Sequence, residues 1–216
     1  LPGASGTGLR CGLYGGAFDP PHLGHVAMAR AFAAQCQLDR LFIMPTGQAW
    51  HKATQPSAAR HRAAMCRLAF AQVHAAQVSE LELNRAGPTY TVDTLHALQG
   101  QSPGAQWFVL MGWDQWARFT TWHRWQSIAE LATLVVAERG CKICADEHSD
   151  ENFLIHPSHP ALSAQPLRWQ PVDVSSTAVR EQLARAAAGT ADMSQLLPDP
   201  VASYISQHQL YQNTHV

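Results

Sequence analysis

The sequence has little charge and no useful excess of either sign. Charged residues make up 14% of its 216 positions, and 15 Lys and Arg face 16 Asp and Glu, for a formal net charge of −1. No global positive field argues for a nucleic-acid partner, so any anion site has to be built locally. No apolar run approaches the length of a membrane span, and Leu1–Gly8 lacks the charged and apolar regions of a secretory signal. Leu1–Gly8 reads as a flexible leader, and a cytoplasmic protein with no membrane partner is expected. The patterns G-x-x-x-x-G-K-[ST] and G-x-G-x-x-G are missing, which excludes a P-loop and the dinucleotide fingerprint. The five cysteines, Cys11, Cys36, Cys66, Cys141 and Cys144, are odd in number and irregular in spacing. That suits a reducing compartment better than a disulfide framework. Cys141 and Cys144 have CxxC spacing but no second CxxC follows. An incidental loop pair is expected there, with zinc as the alternative that His148, His156 and His159 downstream keep open.

What is present is apolar and regularly interrupted. A hydrophobic fraction of 46% suffices for one core, and a single domain over residues 9–216 is expected. Strand-length apolar runs lie at Cys11–Tyr14, Leu41–Pro45, Gln77–Leu81, Trp107–Met111, Thr133–Ala137 and Leu167–Val172. Segments with helical spacing separate most of them: Leu23–Cys36, Ala58–Val73, Thr91–Leu98, Ser127–Leu131, Ser176–Ala187 and Asp199–Gln207. Gly140–Pro166, rich in proline, histidine and acid, reads as a long surface connection. Alternating strands and helices predict an α/β fold: a Rossmann-like, doubly wound, mostly parallel sheet with helices on both faces. Ligands of such sheets bind outside the carboxyl ends of the strands, near the reversal of strand order.

Gly15-Gly16-Ala17-Phe18-Asp19-Pro20-Pro21-His22-Leu23-Gly24-His25 stands at such an end. Gly15 and Gly16 permit a tight turn and close approach by a ligand, and the helix expected from Leu23 turns its N-terminal N–H groups toward the same turn. His22 and His25, one helical turn apart, can both face a bound anion and stabilise charge on a transferring phosphoryl group. A metal-binding His-x-x-His is the alternative, but no third ligand is evident nearby, so no metal is expected. A second phosphate candidate is Val174-Ser175-Ser176-Thr177-Ala178-Val179-Arg180, where hydroxyls cluster at a helix start and Arg180 offers a planar fork one turn in. Taken alone, this segment reads first as an ordinary N-cap followed by a solvated arginine.

Gly15–His25 resembles the GGxFDPxHxGH signature of the bacterial nicotinate-nucleotide adenylyltransferases, a family of the HxGH nucleotidyltransferase superfamily. Val174–Arg180 is similar to the superfamily's ISSTxxR motif, with valine for the leading isoleucine. Gly87-Pro88-Thr89-Tyr90-Thr91-Val92-Asp93-Thr94-Leu95 resembles the family's GPSYTxDTL, with Thr89 for serine. Met111-Gly112-Trp113-Asp114 resembles its GxD loop, with Trp113 in place of a small residue. Phe119…Trp122 matches FxxW. The motifs occur in matching order from Leu9 to Tyr211.

The resemblance implies transfer of AMP from ATP to nicotinate mononucleotide, giving nicotinate adenine dinucleotide and pyrophosphate in NAD biosynthesis, with Mg²⁺. It implies an ATP site at Gly15, Gly16, Phe18, His22, His25, Gly112, Asp114, Ser175, Ser176, Thr177 and Arg180. Acceptor contacts would come from His51, Lys52, Tyr90, Thr91, Trp122 and Arg139. His22, His25, Lys52 and Arg180 would carry the chemistry. Tryptophan at position 122 would stack on the pyridine ring, a favourable and orientationally selective contact. The remaining tryptophans nearby read as core, and the closing Leu196–Tyr211 reads as packing. Rival readings are an adenylyltransferase for nicotinamide mononucleotide or phosphopantetheine, or a nucleotide-binding regulator without turnover. A homo-oligomer is left open.

Overall fold

The computed structural model describes residues 8–47, 57–138, 153–185 and 193–212. His51, Lys52, Arg139, Cys141, Cys144 and nearly all of the expected leader lie outside the described residues. The strands are β1 (Arg10–Gly16), β2 (Arg40–Pro45), β3 (Ala76–Val78), β4 (Gln106–Gly112), β5 (Thr133–Ala137), β6 (Leu154–His156) and β7 (His159–Pro166). The helices are α1 (Leu23–Gln35), α2 (Ala59–Phe70), α3 (Thr91–Gln101), α4 (Trp113–Trp116), α5 (Trp125–Leu131), α6 (Ser176–Arg185) and α7 (Asp199–Gln207).

One seven-stranded sheet runs β3-β2-β1-β4-β5-β7-β6. Every pairing is parallel except β6 with β7. The strand order reverses between β1 and β4, so their carboxyl ends, Gly15–Gly16 and Gly112, open onto the switch-point crevice. The near-continuous apolar runs follow from burial on both faces. Tyr14, Leu41, Ile43, Phe108, Leu110 and Val135 join the core under α1, α2, α6 and α7. Their neighbours Cys11, Leu13, Phe42, Val109 and Val136 join the opposite core under α3 and α5. The doubly wound expectation is met.

Two expected elements are wrong. Leu167–Val172 is not a strand: the last parallel strand is β7, ending one residue earlier, and Leu167 only caps it by donating its N–H to the Val136 carbonyl at 2.8 Å. The expected irregular connection Gly140–Pro166 contains a hairpin, β6–β7, in its described part. The alternation that marks β7 rests on only Leu162 and Ala164, framed by Pro160 and Pro166. The two prolines stand near the ends of β7, where their missing N–H groups interrupt the ladder least, and there they disguised the strand. β3 is also shorter than Gln77–Leu81, because the chain leaves the sheet after Val78.

Candidate active site

α1 starts immediately beyond the β1 turn, and its first residues organise themselves. His22 is the N-cap residue, extended at φ −136°, and its Nδ1 accepts the His25 backbone N–H at 3.3 Å. The His25 Nδ1 in turn accepts the His22 backbone N–H at 3.2 Å. The two histidines therefore form a reciprocal capping box, a role usually taken by Ser or Thr with Glu. Because both Nδ1 atoms accept, the neutral tautomer of each ring carries its proton on Nε2. The rings stack with centroids 3.6 Å apart and planes at 24°.

The Leu23 N–H is spent on the Leu196 carbonyl at 2.9 Å. Two first-turn backbone donors, of Leu23 and His25, are thus already committed within the protein. Gly24 is in a tight place: a Cβ there would sit 3.1 Å from the His22 Nδ1 and 3.1 Å from Val174, so one of them would have to give by a few tenths of an ångström. Gly15 has nothing within 4 Å of its missing Cβ, so the backbone at the end of β1 is open to a ligand.

The second motif packs against the first. Ser175 Oγ caps α6 by accepting the Ala178 N–H at 3.1 Å. Ser176 Oγ donates to the Pro20 carbonyl at 3.0 Å, and the Arg180 guanidinium donates to the Asp19 carbonyl at 2.7 Å and to Thr177 Oγ1 at 3.2 Å. Segments more than 150 residues apart in sequence meet at the Asp19–Pro20 turn.

A single cleft of about 1670 Å³ runs along the switch point. It exceeds the usual volume of roughly 300–1,000 Å³ for one small ligand, which leaves room for two nucleotides. Gly15, Gly16, His22 and His25 line it where β1 ends and α1 starts; Gly112 and Asp114 line it where β4 ends; Tyr90, Thr91 and Trp122 line it beside α3 and α5, on the other face of the sheet. Ser175, Ser176, Thr177 and Arg180 do not line it and stand against the signature turn instead; Val174 is the member of that motif in the wall. Phe18 does not line it either. Its side chain is 1% exposed and meets Tyr14, Phe70 and His25 edge-on, so it braces the turn from the core.

The cytidylyltransferase-like family model matches residues 13–182. A protein of Albidiferax ferrireducens named "Probable nicotinate-nucleotide adenylyltransferase" is 42% identical over 203 residues, covering 94% of this chain and 98% of the relative. A Methylibium petroleiphilum protein of the same name is 38% identical over 202 residues, covering 94% and 92%. The chain belongs to this nicotinate-nucleotide adenylyltransferase family. Its fold is shared by the solved Plasmodium falciparum nicotinic acid mononucleotide adenylyltransferase complexed with NaAD, with TM-score 0.71 at 18% identity over 94% of this chain and 97% of that one.

Within this family member the aromatic cluster divides. Trp116 and Phe119 are fully buried, whereas Trp122 is half-buried and faces the cleft. Several wall residues were not singled out from sequence. His123 lies against Tyr90 with ring centroids 4.3 Å apart, and its one signal was adjacency to Trp122. Glu82, 6% exposed, accepts the Thr94 hydroxyl at 2.9 Å, and burial pushes its carboxyl above the usual range while hydrogen bonds from Thr94 and Thr89 oppose the shift. Glu82 thereby ties the segment before the Gly87–Thr91 turn to α3.

Arg62 was also missed. It is 3% exposed on the apolar face of α2 and donates to the Ser57 carbonyl at 3.0 Å and the Ala17 carbonyl at 2.9 Å. Burial lowers its pKa, and Asp19 nearby works against that shift. Its position among Ala63, Met65, Cys66 and Ala69 was the available signal: a cation on a core stripe needs partners.

Proposed function

We propose that the enzyme transfers the AMP unit of ATP to nicotinate mononucleotide, releasing pyrophosphate and forming nicotinate adenine dinucleotide for NAD biosynthesis. The observation that carries this reading is the two-part cleft. The stacked His22–His25 donors stand at one part, the half-buried Trp122 with Tyr90 and Thr91 at the other, and one continuous cavity joins them. The curated relatives carry the same activity in their names, and the same fold in Plasmodium falciparum is complexed with NaAD.

In this mechanism the chain positions two anions and offsets their charge. A phosphate oxygen of the acceptor, ionised at neutral pH, attacks the α-phosphorus of ATP. The new P–O bond forms as the bond to the α,β-bridging oxygen breaks, and pyrophosphate leaves with the electron pair. No protein base is needed, so the rate comes from alignment and charge stabilisation. His22 and His25 donate Nε2–H to the triphosphate, and Gly15 and Gly16 let it approach the backbone. Arg180 and Lys52 add positive charge, with Ser175, Ser176 and Thr177 shaping the turn beside Arg180. Gly112 and Asp114 take the adenosine side, Asp114 orienting a sugar hydroxyl. Trp122 stacks on the pyridine ring, Tyr90 and Thr91 hold its edge, and His51 and Arg139 assist with the mononucleotide phosphate.

Among the described residues no three His, Cys, Asp or Glu side chains converge as a metal-ligand set. Mg²⁺ is usually held by one or two carboxylates together with substrate phosphates, so it would come to this site as a companion of the triphosphate. Bound with ATP, it would neutralise charge on the departing pyrophosphate.

The test is pyrophosphate release from ATP with nicotinate mononucleotide, nicotinamide mononucleotide and phosphopantetheine side by side. The acid should give the highest kcat/KM. Inactivity with both pyridine mononucleotides would refute the reading. A preference for the amide would move the acceptor assignment, and ATP binding without turnover would indicate a regulator.

A further inference from the structure

α7 ends in a Schellman turn, with Gln209 in left-handed backbone at φ 51°, its N–H on the Ser206 carbonyl at 3.2 Å and the Leu210 N–H on the Ile205 carbonyl at 3.0 Å. Two residues later Tyr211 is left-handed again, at φ 63°, where no helix end calls for it, a conformation uncommon for non-glycine residues. The result is that the Tyr211 hydroxyl reaches the Asp19 carboxylate and donates to Oδ1 at 2.6 Å. Asp19 belongs to the signature turn and is 8% exposed. Its Oδ2 accepts the Ser57 backbone N–H at 3.2 Å, at the far end of the segment that carries Lys52. Its carbonyl holds Arg180, and the next carbonyl holds Ser176.

We propose that Tyr211 is a positioning residue for the ATP side of the site: by hydrogen-bonding Asp19 it fixes the turn that holds Arg180 and Ser176 beside the histidine pair. The phenol suits this task because its ring fills space while its hydroxyl makes a short, charge-assisted bond. Burial and the Asp19 carboxylate push the phenol well above its ordinary pKa, so it stays a donor throughout the working range. Without that donor, the buried carboxylate keeps the Ser57 N–H but loses its short hydrogen bond, and the turn is held less firmly. Arg180 has its acceptor on the turn itself and shifts with it.

The inference rests on the ATP half of the proposed function and not on the identity of the acceptor. Tyr211→Phe removes one oxygen and keeps the ring. Calorimetric binding of a non-hydrolysable ATP analogue to the wild type and Y211F needs no acceptor, so an error in the acceptor's identity leaves that measurement intact. Y211F should bind the analogue about tenfold more weakly, the scale of a hydrogen bond to a charged group. In steady state its KM for ATP should rise with the KM for nicotinate mononucleotide unchanged. Because Tyr211 acts through Arg180, R180K and Y211F combined should weaken ATP binding by less than the product of the two single effects. A purely structural tyrosine would lower the active fraction and leave both KM values alone. That outcome, equal shifts in both KM values, or multiplicative effects in the double variant would overturn the proposal.

Discussion

The His22 and His25 imidazoles lie face to face at 3.6 Å, each Nδ1 accepting the backbone N–H of the other residue. The arrangement makes the pair both a helix cap and a donor set, and substitution can separate the two roles. His22→Ala loses the cap and should cost about 1 kcal/mol of stability. It should also lower kcat by about 10²–10³-fold, the scale of removing one charge-stabilising donor. His22→Asn restores an N-cap acceptor but no Nε2–H in the same place. It should recover stability in urea unfolding without recovering turnover; wild-type turnover in H22N would remove His22 from the chemistry.

His25→Ala should depress turnover by a similar factor and stability by less. The substitution removes the acceptor of the His22 backbone N–H but keeps the His22 cap on the residue 25 N–H. Wild-type kcat in the folded H25A protein, with unfolding measured alongside, would refute the assigned role.

Trp122 offers the opposite kinetic signature to Tyr211. It is half-buried against Phe119, with centroids 5.5 Å apart at 58°, and its remaining surface faces the cleft. If that surface stacks on the acceptor, Trp122→Ala should raise the KM for nicotinate mononucleotide by roughly tenfold or more, from about 1–3 kcal/mol per stacked base. The KM for ATP should stay unchanged. An ATP-only effect would mean that the aromatic end of the cleft takes adenine.

The contrast between Trp122 and Trp116 illustrates what a linear pattern can tell. The runs that became β1, β2, β4 and β5 were readable because burial on both faces demands continuous apolar residues. The Gly15–His25 turn was readable because glycines, a helix start and two histidines at helical spacing combine into one chemistry. β7 was not, since two buried residues between prolines carry too little periodicity. Glu82, Arg62 and Tyr211 were not, because each acts through a partner distant in sequence: Thr94, Ala17 and Asp19. Polar residues inside a core reveal themselves only when the fold supplies their acceptors.

Glu82 makes a pH-dependent contribution whose sign can be worked out. Burial raises its folded-state pKa above the unfolded value, so the folded protein binds its proton more tightly. The stability from this site is fully present below the ordinary carboxylate range and is lost as pH rises through the raised value. Glu82→Gln keeps an acceptor for the Thr94 hydroxyl and carries no charge. It should flatten that part of the stability–pH curve and be at least as stable as the wild type at neutral pH. Glu82→Ala leaves the fully buried Thr94 hydroxyl without its acceptor and should cost about 1–3 kcal/mol. Urea midpoints from acid to neutral pH check both; a wild-type slope in E82Q would remove Glu82 as its source.

Gly12 tests how closely α1, and with it the histidine pair, is seated on the sheet. It lies on β1 beneath α1, and a Cβ there would fall 2.4 Å from Leu38 Cδ1, 2.8 Å from Phe32 Cε1 and 3.1 Å from Leu41 Cδ1. Leu38 is 2% exposed, and Phe32 and Leu41 are fully buried, so none of the three has solvent to retreat into. Gly12→Ala should therefore destabilise by about 1–3 kcal/mol through overpacking, despite the gain that alanine ordinarily brings to a strand. The Phe32 part of the clash can be relieved by α1 shifting on β1, which would move His22 and His25 relative to Gly15 and Gly16. Residual turnover per folded molecule should fall as well, with the loss expressed in the ATP terms. Unchanged stability in G12A would mean that the Leu38 and Phe32 side chains rearrange without cost, and the seating of α1 would then not depend on Gly12.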